Sequence, residues 1–399
     1  MKKIKVVHII TRLELGGAQV NTVYTYEHLD DSKFEAYLLS GGGGMLDDRV
    51  EKKENFIIVP DLVREINPVK DIKAFGQVKR ILKKINPDVI HTHSSKAGII
   101  GRFVASRLRK SGLPAAVHSV HGFAFSPFQS PLKRKIYKWI EKIAAPLTSH
   151  FVFVAHADVD IARQENILKK DNFSLIRSGF PLTKFTAKNE ETKALRKKYQ
   201  IKEKDFVCGI IAPFKPQKGL FHLIEIAVRV LNKRKDVIFL IAGDGELRGE
   251  IEAELKKRGI FENFRLPGFL FDIEKAIDIF DIGVSTALWE GLPQSLIQLR
   301  LKKKAVVASS IPGNREVIKD NKNGFLVDVL DYESFAGKIL YLLENKEERE
   351  QLGGFAEDFS AWDADYMVKV QEELYLSLGG RPPSREAASP QGNAFDSKL

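Results

Sequence analysis

The chain opens with the stretch IKVVHIITRLELGGAQVNT, residues Ile4–Thr22. Its first seven residues form a short β-branched run, which is typical of a strand buried inside a parallel sheet. A turn containing Gly16 and Gly17 follows, and a helical pattern begins after it. The stretch therefore predicts a strand, a turn and a helix, which together form the repeating unit of a parallel α/β sheet.

The same unit recurs in two series along the chain. The first series continues with the runs AYLLS, FIIV, DVIHTH, AAVHSV and HFVFVA, and FSLIRSG precedes a charged helical stretch. The second series comprises FVCGIIA, VIFLIAG, FRLPGF, DIGVSTA, AVVASS and NGFLVD. Helical patterns separate most of these runs, so we predict an α/β protein with two Rossmann-like, doubly wound domains. Ligands of such sheets bind at the carboxyl ends of the strands, which favours a site in the cleft between the domains.

The predicted domains divide the chain into four parts. We place one Rossmann-like domain at residues 1–183 and a second at residues 184–355. Residues 356–378 are predicted to form a C-terminal helix that returns to the first domain. Residues 379–399 are rich in Pro, Gly, Ser and Ala without a hydrophobic period, which predicts a disordered tail.

Composition and charge limit the class of protein. The 399 residues are 44% hydrophobic and 29% charged, which is typical of a soluble globular chain too long for one core. One cysteine, Cys208, excludes an internal disulfide. No run approaches the roughly 18 apolar residues of a membrane span. The net charge of +11 favours an anionic partner such as nucleic acid, an anionic membrane or a phosphorylated small molecule, although a solvated basic surface explains it equally.

Three loops that follow predicted strands have residues suited to phosphate. They are LELGGAQVNT with Gly16 and Gly17, IIAPFKPQKGL with Lys215 and Lys218, and IAGDGELRGEI with Gly243. Glycine permits a close backbone approach, a lysine supplies positive charge, and the N-terminus of a helix attracts anions. None of the loops matches the G-x-G-x-x-G pattern, so a dinucleotide site is not supported. Plain strand-to-helix turns are the alternative interpretation.

Histidines end two of the predicted strands. His91 and His93 lie at alternate positions of one strand and therefore on one face. A metal site would need a third ligand, and none is close in sequence, so we predict no metal. His121 precedes Gly122 at the end of the next strand, where it could donate to a substrate oxygen or act as a general base. A structural histidine is the alternative.

The stretch SPLKRKIYKWIEKIAA, residues 130–145, predicts a basic amphipathic helix that begins with Pro131. Its apolar stripe comprises Leu132, Ile136, Trp139, Ile140 and Ile143. Lys133, Arg134, Lys135, Lys138 and Lys142 flank the stripe, and Phe123, Phe125 and Phe128 precede the helix. Such helices commonly lie on anionic membranes, so we predict membrane or acceptor contacts for Phe125, Lys133, Arg134, Lys138 and Trp139. A helix packed on the first domain with a solvated basic face is the alternative.

The motifs, in this order, resemble the family-4 retaining glycosyltransferases of the GT-B architecture, in which two Rossmann-like domains face a central cleft. The resemblance runs from Ile4 to about Leu378. It rests on GGAQ, HTHSSKAG, SVHGFAF, FKPQKG, AGDGE, LPGF, STALWEGLPQSLIQ and the ending PGNREVI with NGFLV. HTHSSKAG and HGFAF are similar to the branch that makes bacterial surface polysaccharides and lipid-linked oligosaccharides.

The resemblance implies a role for particular residues. Lys218 is expected at the donor diphosphate, Gly16 and Gly17 near the diphosphate and sugar, His121 near the reacting carbon, and Glu290 at the sugar hydroxyls. His121, Lys218 and Glu290 are thus the predicted catalytic residues. The remaining donor-binding residues implied are Lys215, Gly243, Gly268, Phe269, Gly291, Leu292, Pro293, Gln294 and Gln298.

Two positions depart from the family pattern. Pro213 stands where many relatives have an arginine, and Lys215 is a possible substitute for that charge. Gln298 stands where the common form has a second glutamate that bonds the ribose, although an amide can also bond hydroxyl groups.

The function implied is transfer of a sugar with retention of configuration from a nucleotide-sugar, UDP-linked in preference to GDP-linked. The acceptor implied is lipid-linked or a growing glycan in cell-surface polysaccharide synthesis. The expected place of action is the cytoplasmic face of the cell membrane, where the protein is peripheral, without a cofactor or metal and without nucleic acid. A catalytically silent, nucleotide-sugar-binding component of a polysaccharide assembly complex is the alternative.

Overall fold

A computed structural model describes residues 2–109, 114–125, 129–186 and 191–379. Phe128 and all of the predicted tail except Gly379 lie outside these ranges. No helix within these ranges combines the length and the apolar composition that crossing a membrane requires.

The first sheet has seven parallel strands in the order β3-β2-β1-β4-β5-β6-β7. The strands are β1 (Ile4–Arg12), β2 (Phe34–Gly41), β3 (Phe56–Ile58), β4 (Val89–His93), β5 (Ala115–Val120), β6 (His150–Phe153) and β7 (Phe173–Leu175). The helices that connect them are α1 (Gly17–His28), α2 (Pro68–Ile85), α3 (Ser95–Leu108), α4 (Pro131–Ala144) and α5 (His156–Gln164). This arrangement confirms the doubly wound sheet predicted for the first half of the chain.

The second sheet has six parallel strands in the order β10-β9-β8-β11-β12-β13. The helices α6 (Leu182–Thr186) and α7 (Thr192–Lys198) precede it. Its strands are β8 (Phe206–Ile211), β9 (Val237–Ala242), β10 (Phe264–Gly268), β11 (Ile282–Ser285), β12 (Ala305–Ser309) and β13 (Gly324–Val327). The helices that follow β8 are α8 (Leu220–Lys233), α9 (Arg248–Lys257), α10 (Ile273–Asp278), α11 (Gln294–Leu301), α12 (Pro312–Arg315), α13 (Tyr332–Glu344), α14 (Lys346–Gly353) and α15 (Ala364–Leu378).

Strand β1 explains why the apolar runs lack alternation. Ile4 and Val6 pack into a core shared with the last helix, α15, whereas Val7 and Ile9 pack into a core shared with α2 and α3. Both faces of the strand are therefore covered, and a polar alternate residue would have no access to water.

Helix α15 packs on the first sheet, although it follows the second sheet in sequence. Its Tyr375 is fully buried in the core of the first sheet. The hydroxyl of Tyr24 donates to Asp365 Oδ1 at 2.6 Å, and the backbone N–H of Asp30 donates to Glu372 Oε1 at 2.7 Å. The chain therefore crosses between the two sheets twice, which limits how far they can separate.

Candidate active site

The loops at the carboxyl ends of the two sheets meet across the cleft. The turn before α1 faces the start of α11, because a Cβ atom added to Gly17 would overlap the side-chain amide of Gln294. A Cβ atom at Gly291 would lie 3.0 Å from the Cα atom of Gly122. The structure thus brings three of the predicted motifs into one place, namely the GG turn, the HG loop and EGLPQ.

Lys218 and Glu290 form an ion pair in the second domain. Lys218 ends a short 3₁₀ turn, Pro216–Lys218, and Glu290 follows β11. The side-chain amide of Gln217 donates to Glu290 Oε2 at 3.2 Å and to the Trp289 carbonyl at 2.8 Å. These bonds join the loop after β8 to the loop after β11 and hold the two predicted catalytic charges together.

The backbone of Gly219 makes this close approach possible. Its φ angle is +60°, a left-handed conformation that favours glycine, and a Cβ atom there would overlap the carbonyl oxygen of Thr286. The Thr286 hydroxyl donates to the Lys218 carbonyl at 3.0 Å. The glycine after Lys218 in the KPQKG motif is therefore required by packing against the neighbouring strand end.

The other predicted donor-binding residues surround this pair. Gly243 and Gly268 are adjacent, with the Gly243 N–H donating to the Gly268 carbonyl at 2.8 Å. Lys215 Nζ lies 3.9 Å from Glu14 Oε2 of the first domain, and burial lowers the pKa of Lys215. Leu292 and Pro293 are buried, and Phe269 and Gln298 are half-buried.

The start of α11 supplies backbone donors next to these residues. The first N–H groups of a helix have no partner within it and carry partial positive charge. Pro293 lies immediately before the helix and Gln294 begins it. The arrangement of lysines and a helix N-terminus can stabilise negative charge that develops on a diphosphate.

A row of histidines lies beneath the cleft in the first domain. His121 Nε2 is 3.5 Å from His93 Nδ1, and His93 Nε2 is 3.2 Å from His8 Nδ1. Burial lowers the pKa of His121 to about 4 and that of His8 to about 3, and it lowers the pKa of His93 in the same direction. His121 is therefore neutral at physiological pH and can donate or accept a hydrogen bond without carrying charge.

His8 is a residue that the sequence analysis missed. Parallel pairing of β1 and β4 places His8 beside His91, so that ligand atoms of His8, His91 and His93 lie within 4.8 Å of one another. The third histidine is distant in sequence, so a search among sequence neighbours of His91 and His93 does not find it. Both nitrogens of His91 already contact hydroxyl groups, Tyr375 at 2.6 Å and Ser119 at 2.7 Å. His8, His91 and His93 therefore form a hydrogen-bonded network of neutral imidazoles.

Two acidic residues without a predicted role fix the boundary between the domains: Glu316 bonds across it, and Asp158 holds the HG loop from within the first domain. Glu316 Oε1 accepts from the Ala157 N–H at 2.8 Å, and its Oε2 accepts from Arg177 at 2.6 Å. Asp158 accepts hydrogen bonds from the backbone N–H groups of Gly122 and Phe123. Glu316 comes from the PGNREVI motif of the second domain, whereas its partners belong to the first. The two residues therefore position the HG loop against the second domain.

Asp158 is 2% exposed, and its Oδ2 has no hydrogen-bond partner among the described residues. Burial, with the charge of Glu316 as a smaller cause, raises the pKa of Asp158 from 3.8 to about 7. The folded protein thus retains a proton that the unfolded chain releases. The contribution of Asp158 to the free energy of unfolding therefore falls as the pH rises from about 4 through about 7.

We expect Asp158→Asn to remove this pH dependence. An amide can still accept from Gly122 and Phe123 but carries no charge to desolvate. At about pH 8 the variant should be more stable than the wild type by about 1–3 kcal/mol, and at about pH 5 the two should be nearly equal. Denaturant titrations at both pH values measure this, with the exposed Asp160→Asn on the same helix as control. An equal difference at both pH values would contradict the assignment.

Helix α4 exposes most of its apolar stripe instead of packing it. Leu132 is 70% exposed and Trp139 is 64% exposed, and Ile136 and Ile143 are also exposed. The opposite face of the helix is buried, where Glu141 pairs with the buried Arg102 at 2.8 Å. Among the described residues the stripe is therefore left exposed. The helix does pack on the first domain, as the alternative has it, but through its opposite face and not through these four residues.

Two of the predicted contact residues do not face outward. Phe125 is 7% exposed and packs in a core with Phe151 and Phe153, so its predicted membrane contact is wrong. The rings of Phe123 and Phe125 stack at 4.7 Å, which turns this loop toward the core. Lys138 is half-buried and pairs with Glu165, so its charge is already compensated.

Comparison with known proteins agrees with this geometry. The family described as Glycosyltransferase Family 4 matches residues 15–184, and Glycosyl transferases group 1 matches residues 191–359. The chain is 31% identical over 352 residues to UDP-Gal:alpha-D-GlcNAc-diphosphoundecaprenol alpha-1,3-galactosyltransferase of Escherichia coli, covering 86% of this chain and 89% of the relative. It is 25% identical over 326 residues to N,N'-diacetylbacillosaminyl-diphospho-undecaprenol alpha-1,3-N-acetylgalactosaminyltransferase of Campylobacter jejuni, covering 80% of this chain and 85% of the relative.

Solved structures share the fold at low sequence identity. The complex of HepE from Anabaena with UDP-glucose has a TM-score of 0.79 and 17% identity, and the alignment covers 94% of this chain and 99% of that one. WaaG, a glycosyltransferase involved in lipopolysaccharide biosynthesis, has a TM-score of 0.75 and 15% identity, covering 93% and 99%. With the two family matches and the Escherichia coli relative, these likenesses establish that the chain belongs to the family-4 glycosyltransferases and has the GT-B fold.

Proposed function

We propose that this protein transfers a sugar from a UDP-sugar to a lipid-linked or growing glycan acceptor, with retention of configuration, in the synthesis of a cell-surface polysaccharide. The observation that carries the proposal is the meeting of Lys218, Glu290 and the His121 loop at the cleft. The names of the two relatives, each acting on a sugar linked to diphosphoundecaprenol, support the acceptor class. The UDP-glucose complex of HepE supports the nucleotide.

The charges around the cleft suit departure of a nucleoside diphosphate. As the bond between sugar and phosphate lengthens, negative charge grows on the diphosphate, where Lys218, Lys215 and the first N–H groups of α11 would stabilise it. These fixed positive groups suffice for the proposal without a metal. Neutral His121 would donate to a sugar hydroxyl or accept from one, since its lowered pKa keeps it uncharged.

Retention requires the acceptor to attack the face from which the diphosphate leaves. In the proposed mechanism the departing phosphate oxygen takes the proton of the acceptor hydroxyl, so that no carboxylate has to form a bond to the sugar. Glu290 fits a positioning role, because Lys218 and Gln217 already hold its carboxylate. Its contacts would orient the sugar for this attack.

Calorimetric titration and product analysis test the proposal. UDP should bind more tightly than GDP, and saturation at about 100 times the dissociation constant should stabilise the protein by about 2.7 kcal/mol. The anomeric configuration of the product, read by NMR after transfer to a diphospholipid-linked sugar, should match that of the donor. Inverted product would overturn retention. Donor binding without turnover on any lipid-linked acceptor would favour the catalytically silent component.

We also propose that the protein is peripheral on the cytoplasmic face of the membrane and binds it through α4. The exposed stripe of Leu132, Ile136, Trp139 and Ile143 supports this, together with the exposed Lys133 and Lys135 beside it. An exposed apolar patch bordered by basic side chains is favourable at the surface of an anionic bilayer. An acceptor anchored in the membrane would then reach the cleft without leaving the bilayer.

Replacing Trp139 with serine should weaken flotation with anionic vesicles about tenfold, since the side chain loses most of its apolar burial in the interface. The measurement is the bound fraction against lipid concentration, at low and high salt. Leu330→Ser is the matched control, because Leu330 is 65% exposed on the second domain. Equal flotation of the two variants would contradict the role of α4.

A further inference from the structure

An apolar groove separates α2 from α3 on the surface of the first domain. Its cavity volume is about 480 Å³. Pro68, Ile72 and Phe75 of α2 line one side, and Ile99, Ile100 and Phe103 of α3 line the other. The groove is separate from α4 and from the residues assigned to the donor.

The start of α2 is apolar on the side that faces away from the sheet. Ile72 is 74% exposed at the groove, and the nearby Ile66 and Val69 are 74% and 64% exposed. The same helix already buries Ala74 and Val78 against the sheet. Helix α2 thus has a second apolar face, which is exposed to water beside the apolar groove. Such a surface is typical of a site that binds an apolar ligand.

The groove opens toward the cleft. Helix α3 begins at Ser95, two residues after His93, which ends β4 at the carboxyl edge of the sheet. Lys96 Nζ donates to Asp71 Oδ1 at 2.7 Å and joins the first turns of the two helices at the mouth of the groove. Arg64 lies in the segment just before α2, and its guanidinium group pairs with Glu14 at 3.4 Å. Lys215 of the second domain approaches the same carboxylate.

The mouth therefore combines two basic side chains with an apolar floor. Arg64 is exposed and pairs with Glu14 at 3.4 Å, whereas the charge of Lys96 is shared with Asp71, which also lines the groove. A molecule with a branched hydrocarbon chain and a diphosphate at its head matches both features, with the head toward the cleft and the chain in the groove. Phosphate oxygens are the natural partners of such arginine and lysine groups.

We propose that the groove binds the first isoprene units of the polyprenyl chain of the acceptor, while its diphosphate contacts Arg64 and Lys96. The inference rests on the proposed function, because it assumes an acceptor whose sugar is carried on a polyprenyl diphosphate. Binding the chain next to the cleft holds the acceptor sugar near the donor and selects a lipid-linked acceptor over a free glycan.

Farnesyl diphosphate and inorganic diphosphate are the probes, titrated by calorimetry without detergent or vesicles and below the concentration at which the lipid aggregates. Saturating UDP is present throughout, so that the donor diphosphate site is occupied. Farnesyl diphosphate should bind at least about tenfold more tightly than diphosphate, because apolar surface is buried. In Ile72→Ser this ratio should fall several-fold, whereas Leu330→Ser should keep it. Ile72 is exposed, so its substitution leaves the fold intact.

A farnesyl diphosphate carrying a diazirine locates the chain directly. Labelling should concentrate in the peptides that contain α2 and α3. Equal affinity for the two probes, labelling of α4 instead, or dimerisation that buries the groove would overturn the proposal. Failure of the proposed function has a different signature, since UDP itself would then not bind or no sugar would be transferred.

Discussion

Alanine in place of Lys218 is expected to lower kcat/KM by about 10²–10³-fold, the size of effect seen when a fixed group that stabilises transition-state charge is removed. Lys218 lies at the end of a 3₁₀ turn whose position is set by Gly219 and Thr286, so its ammonium group is held in place before the donor arrives. Steady-state kinetics with varied UDP-sugar measure the loss. Lys322→Ala, an exposed lysine of the same domain, is the control and should stay near the wild type.

A structural explanation of the same loss can be separated from the catalytic one. The Lys218→Ala variant leaves the carboxylate of Glu290 without its cation, and Glu290 has only 9% of its side chain exposed. We expect a cost of about 1–3 kcal/mol in the free energy of unfolding. Adding Glu290→Gln should recover much of that stability, because no unpaired charge remains. Because Glu290 also belongs to the site, Glu290→Gln alone is the reference. The double variant should remain less active than Glu290→Gln, and equal activity of the two would show that Lys218 acts only through the fold.

Valine in place of Gly291 is expected to reduce kcat about 10²-fold by separating the two loops that meet at the cleft. A Cβ atom there would lie 3.0 Å from both Cα and N of Gly122 and 2.9 Å from Asp158 Oδ2. The contacts to Gly122 are with backbone, which cannot rotate away, so the HG loop must move as a unit. A displacement of about 1 Å between reacting groups is enough for a loss of this size.

The variant should retain UDP binding, because the atoms nearest to the added Cβ belong to Gly122 and Asp158 of the first domain and not to Lys218 or to the glycines near the base. We therefore expect the dissociation constant of UDP to stay close to that of the wild type while transfer falls. Small-angle scattering in the presence of UDP should show a larger radius of gyration than for the wild type. The control is Gly337→Val, because a Cβ atom at Gly337 meets nothing within 4 Å. Unchanged transfer by Gly291→Val would contradict the assigned contact between the loops.

Local sequence patterns were sufficient for the architecture. Runs such as IKVVHII and FVCGIIA correspond to β1 and β8, because a strand covered on both faces is apolar at most positions. The order of the motifs also identified the family that the comparisons establish. Lys218 and Glu290 meet because each follows a strand whose carboxyl end borders the cleft, and their contact with the donor stays a prediction.

Other features depend on contacts between residues far apart in the chain. His8 joins His91 and His93 because β1 pairs with β4 in a particular register, and register is a property of two strands together. Asp158 gains its raised pKa from burial between loops of both domains. Phe125 is buried by β6, although its position before a basic helix predicts an exposed residue.

The sequence alone determined the two sheets, the turns that follow their strands and the family, because burial on both faces and glycine turns leave local patterns. The tertiary structure decided which charges are paired, which histidines are neutral, and which apolar side chains remain in water. Helices α2 and α4 illustrate the difference: each has an amphipathic pattern, yet only packing reveals that Ile72 and Trp139 stay exposed. The physical reason is that the periodicity of a helix shows that the helix has an apolar face. Which residues cover that face depends on where the sheet places the neighbouring helix.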